Sequence, residues 1–323
     1  MPVRPGEAHE GEHMTHSTTR PTTTTEPRAR ARKGRPKHDH PLFFLVPAGA
    51  MLLVFFVVPT VMNFAYAFSD WSAFKKTIEF NGLDNLRSLF TSGALLADIR
   101  ITIIYALLVA LFQNFFGLAL AVLFEKDTPL NRMGRTLFFV PVLMSALAAG
   151  YIWQAILKTD GALNEILGWG LGTDVRIQWL GSTTWTLVIL AVVHAWKWMG
   201  FSMLTYLAGL KTIDEEILEA AAIDGASKTA MFWRIKFPLI APALTFNVAT
   251  ALLGSMNSFD IVQSLTNGGP GGSTEILNLF IWRTFGKGLY AQSTTMSLVL
   301  FVLVTLMAIP LITALRRREN SIL

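Results

Sequence analysis

Six long apolar runs divide the chain: about Leu42 to Phe68, Ile99 to Phe124, Thr136 to Leu157, Trp185 to Leu210, Leu239 to Ser264 and Leu289 to Leu315. Each reaches the roughly 20 residues that a bilayer core requires of a helix. None alternates polar and apolar positions. In lipid only helices and closed barrels leave no backbone group unpaired, so unbroken runs of this length predict helices. Prolines such as Pro47, Pro59, Pro141 and Pro310 are expected mostly near the ends of runs, where they cost little. The expected fold is an all-α membrane protein with six transmembrane helices.

One polar segment interrupts this plan, "KTIDEEILEAAAIDGASKTAMFWRIKFP", about 212–238. It reads as two helices around one turn. Thr212 and Glu215 have capping-box spacing, and Asp214, Glu215 and Glu216 place acids where a helix dipole favours them. Ala220, Ala221 and Ala222 give a surface of little bulk, and Asp224-Gly225 supplies the stop, since Gly accepts the left-handed C-cap conformation. Ser227 caps the next helix, with Met231, Phe232, Ile235 and Phe237 on its apolar side, and Pro238 ends it. A plain surface connector would have the same caps, but some thirty ordered residues between two spans is long for a connection.

Composition narrows the class. Hydrophobic residues make up 52% of the 323 and charged residues 15%, with no Cys and six scattered His. Disulfides, thiolate metal sites and thiol catalysis are excluded, and no metal-ligand spacing is present. The net charge of +5 comes from the N-terminal tail and the ends of apolar runs, which indicates membrane topology and no nucleic-acid partner. Residues 1–40, rich in Thr, Pro, Arg and His, are expected to be a disordered cytoplasmic tail and 317–323 a short C-terminal one, flanking a membrane domain over 41–316. Both termini inside is the topology that Lys and Arg favour, and it places the polar segment in the cytoplasm. "GASKT", Gly225 to Thr229, lacks the order of a phosphate loop, and no nucleophile, base and orienting acid converge.

In the polar segment the chain resembles the membrane subunits of binding-protein-dependent ATP-binding-cassette importers. Their signature, E-A-A, three residues, G, nine residues, I, one residue, L-P, is matched by Glu219, Ala220, Ala221, Gly225, Ile235 and Pro238, with Phe237 in place of Leu. The extended "EAAAIDGAS", with Asp224 and Ala226, is similar to the carbohydrate-uptake branch, and the resemblance continues through "GLDNL", "LFFVPVLMSALAAGYIW", "WLG" and "LTNGGPGGSTE". It looks like the maltose-permease F-like partner without that protein's extra spans. The resemblance implies the type I importer permease fold, with Glu219 to Ala226 in a coupling helix that docks on the ATPase. It also implies a second homologous permease, two ATPase subunits holding ATP and magnesium, and an external solute-binding protein. No cofactor is expected in this chain.

Polar residues within the runs are candidates for a substrate path. Asn247, Asn257 and Ser258, Gln113 and Asn114, and Trp153 and Gln154 supply amides, a hydroxyl and an aromatic face suited to a sugar, although a residue of this kind alone more often holds helices together. Gly117, Gly150, Gly200 and Gly254 are read as sites of close helix contact. Lys197, in mid-span, must face inward; Asp260 offers a counter-charge, either as an ion pair or beside substrate. The same two charges support a different reading, a self-sufficient ion-coupled transporter. A third reading is a membrane scaffold without transport.

Overall fold

The computed structural model describes residues 45–320; the expected tail over 1–40 lies outside them, as do residues 321–323. The chain divides into units Met1–Ala50 and Met51–Leu323, and the described part of the first is the opening of a helix. Thirteen helices follow in order among the described residues. They are α1 (Val46–Tyr66), α2 (Asp84–Thr91), α3 (Ala94–Leu123), α4 (Pro129–Leu143), α5 (Ala146–Ile156), α6 (Ala162–Leu171) and α7 (Trp185–Leu210). Then come α8 (Glu215–Ile223), α9 (Lys228–Leu239), α10 (Ala241–Met256), α11 (Asp260–Leu265), α12 (Leu277–Gly286) and α13 (Tyr290–Asn320).

By length and hydropathy α1, α3, α7 and α13 each suffice to cross a membrane, and the pairs α4–α5 and α9–α10 raise the number of crossings to six if each bent pair is one span. The fourth run is a helix over the predicted residues, whereas the third and fifth runs are not single helices. α4 and α5 meet at 102°. Met144 is extended there, and Ser145 starts α5 by accepting a hydrogen bond from the Ala148 N–H at 3.1 Å. α9 and α10 meet at 69°, and α10 stops at Met256, so that Ser264 belongs to the separate α11. Hydropathy averages over such breaks because the residues around them remain apolar.

The prolines also depart from expectation. Pro141 and Pro310 lie inside α4 and α13. Pro59 and Pro238 each follow a π turn, Leu53–Val57 and Phe232–Lys236, that ends two residues before the proline. In both turns the closing N–H reaches back five residues, Val58 to Leu53 O and Phe237 to Phe232 O. Widening the helix there relieves the clash of the proline ring with the carbonyl four residues back. α13 continues through the expected C-terminal tail as far as Asn320.

α3 and α7 pack along one another; α10 lies against both, and α4 against α7. α13 packs on α10, α12 and the Val58–Tyr66 half of α1. One core cluster joins Tyr105 and Val109 to Leu190, Ala191, Ile261 and Leu265; a second joins Ala121 to Met203, Tyr206 and Leu210. Gly200 explains the fit of α4, since a Cβ there would lie 2.3 Å from Phe138 O. Gly150 plays the same part for α5 against α11, and Gly117 for α3 against α7. Gly254 does not: nothing lies within 4 Å of the position its Cβ would take.

The loops carry α2, α6 and α12, none of which the hydropathy pattern predicted. Asn85 donates to Ala67 O and Ser69 O, and Asn164 to three carbonyls including Ile177 O, so a single buried amide closes each of the first two loops. The Gly-rich third loop is held by Arg283, which bonds Glu275 at 2.6 Å and Asn267 O at 2.6 Å.

Candidate functional site

The polar segment folds as two capped helices. Its first cap differs from expectation: Asp214, not Thr212, is the N-cap of α8, and it makes no side-chain cap bond. The Thr212 hydroxyl donates to Gly209 O at 2.8 Å and so closes the end of α7. At the other end of α8 the Ala226 N–H reaches Ala221 O at 3.0 Å and the Gly225 N–H reaches Ala222 O at 3.1 Å. These two bonds are a Schellman motif, with Gly225 at φ +80° in the left-handed position. Ser227 then caps α9 by accepting from the Ala230 N–H at 3.2 Å.

Of the six residues assigned to coupling, Glu219, Ala220, Asp224 and Gly225 are exposed, while Ala221 and Ala226 are half-buried. Ile223 is 86% exposed although apolar, and composition gave no hint of that. Beside the Gly225 turn lies a notch of about 430 Å³, lined by Asp224, Ala226, Ser227, Arg234 and Ile235. An exposed apolar side chain next to a small-residue surface and a polar notch has the composition of a docking edge.

This edge is tied to the neighbouring turn. The Lys236 ammonium bonds the Glu125 carboxylate at 2.5 Å, with both side chains largely buried. Arg135 donates to Phe124 O at the C-cap of α3 and to Glu125 O and Lys126 O in the loop that follows it. The Arg132 guanidinium beside Asp127 holds that carboxyl below the usual carboxylate range. The ends of α3 and α7, the start of α4, and α8 and α9 thus form one polar end of the helical assembly.

The intramembrane candidates separate into three groups. Gln113 donates to Ser202 Oγ at 2.9 Å, Asn114 Oδ1 accepts from the Tyr206 hydroxyl at 2.5 Å, and Asn247 donates to Ser202 O at 3.4 Å. Tyr105 and His194 add a bond of 2.7 Å. These residues form a buried polar lattice joining α3, α7 and α10. Trp153 and Gln154 of α5 face different neighbours: Trp153 meets Trp196 of α7 edge-on, and Gln154 donates to Leu265 O of α11. Asn257 is exposed and Ser258 half-buried, both in the break between α10 and α11.

Lys197 is 3% exposed and inward, as expected of a charge in mid-span. Asp260 is not its partner. The ammonium lies 3.4 Å from Val142 O, in the last turn of α4, and 4.3 Å from the Trp198 ring, while Asp260 is exposed at the start of α11. A cation at the carbonyl end of a helix is favourably placed. The ion-coupled reading therefore loses its charge pair.

The sequence reading missed Ser202, Tyr206 and Trp198. With His194 they recur every fourth residue along α7, a spacing that puts all four on one face and was available as a signal. A cavity of about 210 Å³ opens beside this stripe, lined by Gln113, His194, Trp198, Phe201, Thr250 and Gly254.

Residues 113–318 match the family model described as binding-protein-dependent transport system inner membrane component. The chain is 29% identical over 281 residues to a probable starch degradation products transport system permease protein, AmyD, of Thermoanaerobacterium thermosulfurigenes, covering 85% of this chain and 94% of that protein. It is 27% identical over 282 residues to the lactose transport system permease protein LacF of Rhizobium radiobacter, with coverage of 85% and 94%. In fold it resembles a chain in the crystal structure of a bacterial ABC transporter that imports the acidic polysaccharide alginate. The TM-score is 0.74 at 23% identity, covering 87% of this chain and 96% of the other.

Proposed function

Because the chain belongs to the family of inner membrane components of binding-protein-dependent transport systems, we propose that it is the permease through which a sugar enters the cell. It is a transport subunit rather than an enzyme, with the type I permease fold. The sugar class rests on relatives named for starch degradation products and lactose. A di- or oligosaccharide delivered by an external solute-binding protein is the cargo we assign. The remaining partners in this reading are a second homologous permease and two ATPase subunits, which hold ATP and magnesium. Both termini lie in the cytoplasm, which puts α8 and α9 on the ATPase side.

The mechanism follows from the geometry. Nucleotide-driven closure of the ATPases would push on the exposed edge of α8 from Glu219 to Ala226. The push passes through α9 into α10, and through the Lys236–Glu125 pair into the turn between α3 and α4. α3, α7 and α10 are joined by buried hydrogen bonds, so they move as a body and open the path first to one side and then to the other. The observation that carries this reading is the Schellman turn at Gly225, which presents an exposed, rigid corner at the polar end of the assembly.

The test is purification of the tagged chain from its own membranes in mild detergent. Stoichiometric recovery of a second permease and an ATPase, with ATP hydrolysis stimulated by the sugar-loaded binding protein, is expected. Recovery of the chain alone, with uptake that follows an ion gradient and ignores ATP, would overturn the reading.

A further inference from the structure

At the end of the assembly opposite α8 and α9, a cavity of about 610 Å³ lies between the last two turns of α1, the first turns of α13, and α12. Its volume is that of a small-ligand site, and no charged side chain lines it. Tyr66, Trp71, Phe259, Trp282 and Phe285 form its aromatic wall. The amides of Asn63 and Asn278 line it too, and among the described residues neither makes a hydrogen bond.

The wall is preformed. Trp71 meets Tyr66 at 4.7 Å and Tyr290 at 4.8 Å with the rings tilted; Phe285 meets Tyr290 at 4.8 Å and Phe259 meets Trp282 at 5.5 Å. Backbone bonds from Ala73 N–H to Gly288 O and from Ala291 N–H to Trp71 O lock the loop that carries Trp71 onto the start of α13. A ligand entering here would meet rings already ordered, which removes part of the entropic cost of binding.

We propose that this cavity is a binding site for a neutral saccharide ring, separate from the cavity beside α7. Aromatic faces match the apolar faces of a sugar ring, and free amides match its hydroxyls. The absence of charge disfavours an anionic ligand. An acyl chain would satisfy the rings but offer the two amides no partner, so it fits the lining less well than a sugar ring does. The ring can come from a free sugar or from the headgroup of a glycolipid, because the cavity opens where tyrosine and tryptophan gather at one end of the spans.

The experiment uses the transporter with its partner subunits in lipid nanodiscs and three photoreactive probes, diazirine-bearing maltose, diazirine-bearing dodecyl maltoside and a diazirine-bearing fatty acid, with labelled peptides mapped by mass spectrometry. Labelling between Asn278 and Phe285, displaced by unlabelled maltose and reduced roughly tenfold in an Asn63→Ala, Asn278→Ala variant, is the expected result. Labelling by the free sugar names that source, and labelling by the alkyl glycoside alone names a glycolipid headgroup. The proposal is overturned by wild-type protein that takes up sugar but shows no label there, by a variant labelled as strongly as wild type, or by labelling with a diazirine fatty acid that maltose does not displace. Uptake measured on the same preparation keeps this result separate from the transport reading.

Discussion

Lys236 and Glu125 face one another at 2.5 Å although 111 residues separate them, one in the π turn of α9 and the other just after α3. The pair fastens the polar segment, next to its covalent junction with α10, to the turn that follows α3. Both side chains are mostly shielded from water, so the contact is stiffer than a surface ion pair.

Breaking this pair should uncouple the segment while leaving the helices assembled. Glu125→Gln is expected to lower uptake severalfold with unchanged membrane content, and the reversed pair, Glu125→Lys with Lys236→Glu, to recover part of it. A double-mutant cycle on uptake rates measures the link; additive effects of the single changes would show that the two residues act independently.

Gly225 gives a second prediction. Nothing lies within 4 Å of the position its Cβ would take, so substitution there costs backbone strain rather than a clash. A β-branched residue forced into the left-handed conformation costs about 1–2 kcal/mol or more, while Asn tolerates it. Gly225→Val is expected to abolish uptake with normal insertion, and Gly225→Asn to retain it. Normal uptake in the Val variant would remove the corner from the mechanism.

Gly200 and Gly254 are expected to respond in opposite ways. A methyl at Gly200 would meet Phe138 O at 2.3 Å, whereas a methyl at Gly254 meets nothing. Gly200→Ala should therefore lower the thermal midpoint of the purified complex by displacing α4, at a cost of roughly 1–3 kcal/mol. Gly254→Ala should leave the midpoint unchanged, and equal shifts in the two variants would contradict the packing of α4 on α7.

The polar lattice separates structural from path residues. Gln113→Ala and Tyr206→Phe each remove a hydrogen bond within the membrane, which averages about 0.6 kcal/mol. Both should reduce stability slightly and leave the KM for uptake unchanged. Asn257, exposed in the break between α10 and α11 and bonded only to Leu253 O among the described residues, should behave the other way, with Asn257→Ala raising KM at constant stability. A raised KM for Tyr206→Phe would return the lattice to the path.

The legibility of the sequence followed the range of the interaction involved. The turn at Gly225 and the cap at Ser227 could be read because both are made by residues within a few positions of each other. α7 was bounded correctly because a long apolar helix without interior proline carries its own signal. The 102° break at Met144 and Ser145 leaves no mark in the pattern, since it adds no charge and little polarity, and Pro141 before it reads as a proline near a run end. Lys197 was placed inward by the cost of a charge in lipid, but its partner is a carbonyl 55 residues away that no local pattern names. The lattice is visible in the sequence only as separate amides, because their partners lie on α7 and the stripe through Ser202 and Tyr206 looks like ordinary helix until α3 is beside it.

The π turn at Phe232–Lys236 has a consequence for aim as well as for proline. One additional residue within a helix advances everything before it by about 100° relative to everything after it. Ser227 and the corner at Gly225 therefore point in a direction set by a count of residues, not by the sequence of any one of them. Tightening that turn into a regular α-helix with all five of its residues kept would preserve every cap and every charge of the segment and rotate its docking edge about a quarter turn away from whatever receives it.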